Sequence, residues 1–222
     1  MELIESNIHS IRNRIFPSNT YILTDEVNHS CLIIDPGMDR EQIDCAIMRL
    51  NLNPLAIIAT HGHFDHIASA SFFKKKFNIP FYMHVADLKL LQSVNFYMKV
   101  TKINFTIDII KPDYLLKGSS EIISVGQFDL NMINFPGHTN GSCIIQHKNR
   151  LFSGDIIYRK GMYFNNFPGE NRVKLKESIT NIFNMFLNDI NTMIFPGHGE
   201  SALLEHIKVH NMELIDFLGQ NS

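Results

Sequence analysis

Thr60-His61-Gly62-His63-Phe64-Asp65-His66 places four potential metal ligands within six positions. The run directly follows Leu55 to Ala59, an apolar stretch after Pro54 that reads as a buried strand. His61 and His63 flank one glycine, so in an extended loop both imidazoles can converge on a single ion. Asp65 and His66 fall at the start of the next helical pattern and can face a neighbouring position. Zinc-like ions take nitrogen and carboxylate donors, and paired divalent ions about 3.5–4 Å apart need two such half-sites. A solvated polar loop would explain the residue types but not their density at a strand end.

Three later motifs supply further donors: Pro136-Gly137-His138-Thr139, Ser153-Gly154-Asp155 and Pro196-Gly197-His198-Gly199. Each ends an apolar run, and the tetrapeptide Phe-Pro-Gly-His occurs at 135–138 and again at 195–198. A third Phe-Pro-Gly, at 167–169, precedes Glu170 and reads as a plain turn. Cys31, Cys45 and Cys143 are widely spaced and odd in number, which excludes a disulfide framework and a thiolate metal cage. Cys31 and Cys143 sit in apolar runs and read as small buried hydrophobes.

The elements that must position these residues alternate along the chain. Strands are expected at Tyr21–Thr24 and Cys31–Ile34, the latter closed by the turn signal Asp35-Pro36-Gly37. A helix from Arg40 to Leu50 is expected from the shared face of Ile43, Ile47 and Leu50. Another runs from Asp65 to Phe77, its Lys74-Lys75-Lys76 run reading as a solvated helix end that suits the macrodipole. Phe81–Met83 is the next strand. The stretch from Gln92 to Ser120 is the least regular and reads as a surface helix and loop, or alternatively as an apolar cover over a site. Further strands are expected at Glu121–Val125, Phe128–Phe135, Ser142–Gln146, Leu151–Phe152 and Thr192–Phe195. Helices are expected at Val173–Leu187 and Ser201–Leu218. Strands with helices interspersed in both halves imply an α+β domain of two packed sheets with helices outside.

The chain has 222 residues, 45% apolar and 19% charged, with a formal charge of −2. Those values fit one ordinary globular domain and give no general drive toward nucleic acid or anionic membrane. No run reaches the roughly 18 to 20 apolar residues of a membrane span, and Met1-Glu2-Leu3-Ile4-Glu5 does not read as a signal peptide. A cytoplasmic protein is expected, with a small-molecule substrate, no nucleic-acid or membrane partner, and an oligomeric state left open.

The five ordered motifs resemble the metallo-β-lactamase superfamily, and within it the glyoxalase II-like hydrolases. The matched elements run from about Asn19 to the last helix. The resemblance implies an αββα sandwich of two mixed β-sheets with helices on the outer faces, as a single domain over 1–222 without the C-terminal helical domain of full-length glyoxalase II. It implies two divalent metal ions, zinc first, with iron or manganese as alternatives. His61, His63 and His138 would hold one ion, Asp65, His66 and His198 the other, and Asp155 would bridge them. Asp65 would also orient the metal-bound hydroxide, and Asp35 would support the ligand loops. The implied reaction is attack of that hydroxide on an acyl carbon, the ions lowering the pKa of water from about 15.7 toward about 7. No Ser-His-Asp triad is needed, and no Gly-x-Ser-x-Gly run occurs.

The substrate is read less directly. Relatives place a Lys or Arg, and often a Tyr, some nine to eleven positions after the bridging aspartate, where this chain has Phe164, Asn165 and Asn166. A thioester hydrolase acting on S-acylglutathione or a related compound is the first reading. A lactonase is the second, because related lactonases carry a tyrosine where Tyr158 stands. An iron-dependent sulfur dioxygenase and a non-enzymatic metal-binding scaffold complete the alternatives.

Overall fold

The computed structural model describes residues 1–5, 7–25, 27–164 and 169–220. Contacts divide the chain into two compact units, Met1–Lys117 with Val125–Gln127, and Gly118–Ser124 with Phe128–Ser222. Each unit is built around one mixed β-sheet.

In the first unit, strands β1 (Glu2–Glu5), β2 (Ile8–Arg12), β3 (Asn19–Asp25), β4 (Ser30–Ile34), β5 (Asn53–Ile58), β6 (Phe81–His84) and β7 (Tyr114–Leu116) lie side by side in chain order. Pairing is antiparallel from β1 to β4 and parallel from β4 to β7. The parallel steps are crossovers through α1 (Arg40–Arg49), then α2 (Phe64–Ile67) with α3 (Ala70–Phe77), then α4 (Leu88–Val100). Every residue of β4 is buried, as expected where helices cover a parallel sheet. The α1 stripe Ile43, Ala46 and Ile47 packs in one core with Ile33, Ile57, Phe73 and Phe81. Each fully buried large apolar side chain there contributes about 1.5–3 kcal/mol.

In the second unit the order is β13-β12-β11-β10-β9-β8, with β8 (Ser120–Val125), β9 (Phe128–Asn134), β10 (Cys143–His147), β11 (Arg150–Gly154), β12 (Met193–Pro196) and β13 (Ala202–Leu203). The parallel pair β11–β12 is joined through α5 (Arg172–Met185), whose Leu175, Ile179 and Ile182 share a core with Ile144, Leu151 and Ile194. Two short helices, α6 (Leu204–His210) and α7 (Met212–Gly219), close the described chain. No helix among the described residues is long and apolar enough to cross a membrane.

Three expectations need correction. The single helix expected from Asp65 to Phe77 is two helices. The Ser69 N–H, which would continue the ladder to the Asp65 carbonyl, donates instead to Pro36 O at 3.0 Å, and Ser69 Oγ donates to Gly37 O. The Asp65 carbonyl accepts from Ser18 Oγ at 2.6 Å. The helix expected from Ser201 to Leu218 is likewise interrupted, first by β13 and then at Asn211. Asn211 Nδ2 donates to the carbonyls of Tyr158 (3.1 Å) and Gly161 (3.0 Å), while its Oδ1 caps α7 at the Leu214 N–H. The lysine run does end a helix, with Asn78 left-handed behind it, but it is not simply solvated. Lys74 pairs with Asp113, Lys75 with Asp108 and Lys76 with Asp44.

The irregular stretch between residues 92 and 120 is a surface helix, a loop packed on the core and the short strand β7, which its irregular pattern did not suggest. Its helix begins earlier, at Leu88, and buries Leu91, Val94 and Met98. Asn95 clamps the following loop through both its side-chain atoms, to the N–H and carbonyl of Ile107. Of the third Phe-Pro-Gly, Phe167 and Pro168 lie outside the described residues, as do Asn165 and Asn166.

Candidate metal centre

The donors sit on loops that leave the carboxyl ends of strands, the position where α/β sheets present their ligand loops. In the first unit Asp35 follows β4, Thr60 to His66 follow β5, and His84 ends β6 with Val85 to Asp87 behind it. In the second, Asp155 follows β11 and His198 follows β12, while His138 lies on the turn between β9 and β10.

Asp35 organises the first group. It takes a positive φ of 51° at the strand end, and its Oδ1 accepts the Thr60 N–H at 2.7 Å. Its Oδ2 accepts the Thr60 hydroxyl at 2.6 Å and lies 2.9 Å from His66 Nδ1. The carboxylate therefore takes a proton from both neighbours, which places the His66 proton on Nδ1 and leaves Nε2 as the lone-pair nitrogen. With the Thr60 hydroxyl already donating to Asp35, the 3.0 Å contact of Thr60 Oγ1 with His61 Nδ1 has the imidazole as donor. His61 Nε2 is then also a lone-pair nitrogen. It stands 3.1 Å from His63 Nδ1, close to the roughly 3.3 Å that separates two nitrogens bound tetrahedrally to one zinc-sized ion at about 2.0–2.1 Å. The Asp65 carboxylate lies 3.7 Å from His66 Nε2. Asp35, His61 and His66 also form a ligand-type cluster, but the Asp35 oxygens are spent on Thr60 and His66.

The loop carrying these groups is held from two further sides. Asp87, 2% exposed at the start of α4, accepts the Gly62 N–H at 2.9 Å between the two histidines. His84 caps the helical turn containing Asp87 by accepting the Ala86 N–H. On the other side, Asn13 donates to Ser18 and Thr20 and accepts the Asp39 N–H at 2.8 Å. Gly37 threads between: a Cβ there would lie 2.3 Å from Asn13 Nδ2 and 2.7 Å from the Asp65 carbonyl.

In the second unit the Asp155 carboxylate collects two histidines. Its Oδ2 lies 3.5 Å from His138 Nε2 and 3.4 Å from His198 Nε2. Gly137, at φ +146°, lets the His138 turn seat on the first turn of α5, since a Cβ would fall 2.3 Å from Leu175 N. The Gly197 N–H donates to Gly154 O at 2.7 Å, which ties the Asp155 and His198 loops together. Tyr158 is buried, and its hydroxyl donates to the Asp155 carbonyl at 3.1 Å. Arg159 pairs with Glu200, and Phe164 packs on Phe217 beneath the Arg172 guanidinium.

All seven sequence-expected ligands thus fall into two groups, four on the first unit and three on the second. The donor chemistry suits a divalent cation: imidazoles, two of them oriented by Asp35 and Thr60, carboxylates, and a hydrogen-bonded layer behind them. Sequence reasoning missed Asp87, Asn13 and Ser18. They act through backbone groups, and no local pattern marks such a role.

A two-sheet α+β fold with His/Asp ligand loops at its strand ends defines a metal-dependent hydrolase. The chain belongs to the metallo-beta-lactamase superfamily, whose family model matches residues 13–198. Among its relatives is a probable metallo-hydrolase, YqgX, of Bacillus subtilis, 30% identical over 82% of this chain and 85% of that protein. Hydroxyacylglutathione hydrolase GloC of Haemophilus influenzae is 28% identical over 92% of this chain and 96% of its own. Among solved structures, the BLEG-1 B3 metallo-beta-lactamase superposes with a TM-score of 0.82 at 29% identity, covering 93% of this chain and 99% of that one. That likeness bears out the expected metallo-β-lactamase fold.

Proposed function

We propose that the chain is a binuclear metal-dependent thioester hydrolase, acting on S-acylglutathione or a related small thioester. The observation that carries this reading is the likeness to hydroxyacylglutathione hydrolase GloC over 96% of that protein's length. In this reading His61, His63 and His138 hold one ion, Asp65, His66 and His198 hold the other, and Asp155 serves both. Zinc is the first choice, with iron or manganese as alternatives. When bound, the ions supply a water acidic enough to act as a nucleophile at neutral pH and a Lewis acid for the acyl oxygen. Asp35 keeps His66 and, through Thr60, His61 as lone-pair donors. Asp65 orients the attacking water and can accept its proton, and Asp155 balances positive charge that would otherwise repel across the pair. Tyr158 supports the Asp155 peptide from behind. The cytoplasm is the compartment of this reading, in keeping with the free thiols of Cys31, Cys45 and Cys143.

The test joins metal analysis to a substrate panel. Two equivalents of metal per reconstituted chain are expected, with Asp155→Ala lowering both metal content and turnover and His147→Ala lowering neither. S-lactoylglutathione should be hydrolysed with a high KM, and thioesters lacking the glutamyl and glycyl ends at comparable rates, because remote uniform binding chiefly sets KM. Hydrolysis of a β-lactam is a further reading, favoured by the likeness to the BLEG-1 B3 metallo-beta-lactamase. A lactone preferred over every thioester, slowed selectively by Tyr158→Phe, would replace the thioester assignment with a lactonase.

A further inference from the structure

Outside the ligand groups, the first unit holds a cavity of about 790 Å³ bounded by the segment after β2, the first turn of α1, the α2–α3 junction with α3, and the loop before β7. Pockets of about 300–1,000 Å³ are the size that encloses small organic ligands. Its apolar surface includes Met38, Phe72, Phe105 and Ile107. Phe105 remains 44% exposed, a large aromatic at the mouth of a concave site.

The polar surface is unbalanced in donors. Arg14, Arg40, Lys75 and Lys76 line the cavity with Asp39, Glu41 and Asp108, and Asp44, just outside the lining, holds Lys76. The acids are already engaged. Asp39 takes Arg14 Nε on one oxygen (2.6 Å) and an Arg14 terminal nitrogen on the other (2.7 Å). Asp108 accepts from Ser71 and Lys75, and Glu41 accepts from Arg40 Nε. Arginine carries five N–H donors and lysine three, so these pairings leave donors in excess. The Arg40 guanidinium lies over the Phe72 ring, 5.4 Å from its centre, and Lys76 Nζ lies over it at 5.7 Å, which sets cationic donors directly on an aromatic surface. An acceptor-rich head group on an apolar body complements such a surface through the remaining N–H donors.

We propose that this cavity is a second binding site, for a small amphipathic anion: an apolar or aromatic body against Phe72 and Phe105, and a carboxylate or phosphate-type head on Arg40, Lys75 and Lys76. The site is independent of the thioesterase reading, since it shares no metal ligand with that centre.

The chain contains no tryptophan, so Phe105→Trp places a single reporter indole at the cavity mouth. The metal-loaded Phe105→Trp protein is titrated with phenylphosphonate, phenylacetate, inorganic phosphate and benzyl alcohol. A saturable emission change with phenylphosphonate or phenylacetate is expected, at least tenfold weaker after adding Arg40→Gln and Lys76→Gln, and none with benzyl alcohol. Whichever of the two anions binds tighter assigns the head group, and weaker binding of inorganic phosphate shows that the aromatic body contributes. If the reporter variant fails to fold, broadening of the phenylphosphonate phosphorus resonance is compared between the unsubstituted protein and Arg40→Gln/Lys76→Gln. The proposal is overturned if neither anion gives a saturable response, if the glutamine variant binds equally, or if benzyl alcohol binds as tightly.

Discussion

A carboxylate that binds no ion can decide whether its neighbours do. Asp35 reaches two of the histidines, His66 directly and His61 through the Thr60 hydroxyl, and its contacts fix which nitrogen of each ring carries the lone pair. Asp87 works one bond further out, on the Gly62 peptide between His61 and His63. Asp87→Ala is expected to weaken metal binding by about 10–100-fold, the usual effect of removing an outer hydrogen bond, with circular dichroism unchanged; competition with a chromophoric chelator measures it. His147 is expected to act on stability alone. Burial lowers its pKa from 6.5, more than the bond to the Asp129 carbonyl raises it. The unfolded chain therefore takes up a proton below pH 6.5 that the folded chain resists, and stability falls toward acid. His147→Gln keeps an N–H for Asp129 and loses the titration. Urea midpoints at pH 7 and 5.5 should separate less in the variant than in the parent.

At the scale of elements, the sequence marks where chains turn better than where helices break. The strands that carry ligands were legible because each apolar run ends in a Pro-Gly, Ser-Gly or Thr-His signal, and the ligand residues themselves because five motifs keep their order. The breaks at Ser69 and Asn211 were not. Both residues are compatible with a helix, and both are diverted by partners distant in the chain: Pro36 and Gly37 for Ser69, Tyr158 and Gly161 for Asn211. Tertiary hydrogen bonds of this kind override helix periodicity and leave no trace in it. Likewise the Lys74–Lys76 run reads as solvated until Asp44, Asp108 and Asp113 arrive from elsewhere. Asn211 gives the sharper test. Asn211→Ala removes an α7 cap and leaves two buried carbonyls without their donor, a loss of about 1–3 kcal/mol. Urea unfolding should register that loss without a change in metal content.

For the whole molecule, the proposed centre draws ligands from both units, so metal binding and global stability should be linked. An ion held at a hundred times its dissociation constant stabilises the folded chain by about 2.7 kcal/mol per site. Chelation should therefore lower the melting temperature, and readdition of zinc should restore it; unchanged melting in chelator would separate the ions from the fold. The chain order of the first sheet bears on how such a protein is made. Its seven strands leave the ribosome in the same sequence in which they pair, β1 through β7. At about 5–20 residues per second, each new strand meets a partner already in place within a few seconds, and the growing edge is soon covered. His61 and His63 emerge well before Asp155 and His198. Under the proposed function, capture of the ions waits for the His198 loop, and a nascent chain carries only the first unit's share of its grip on metal until that loop has formed.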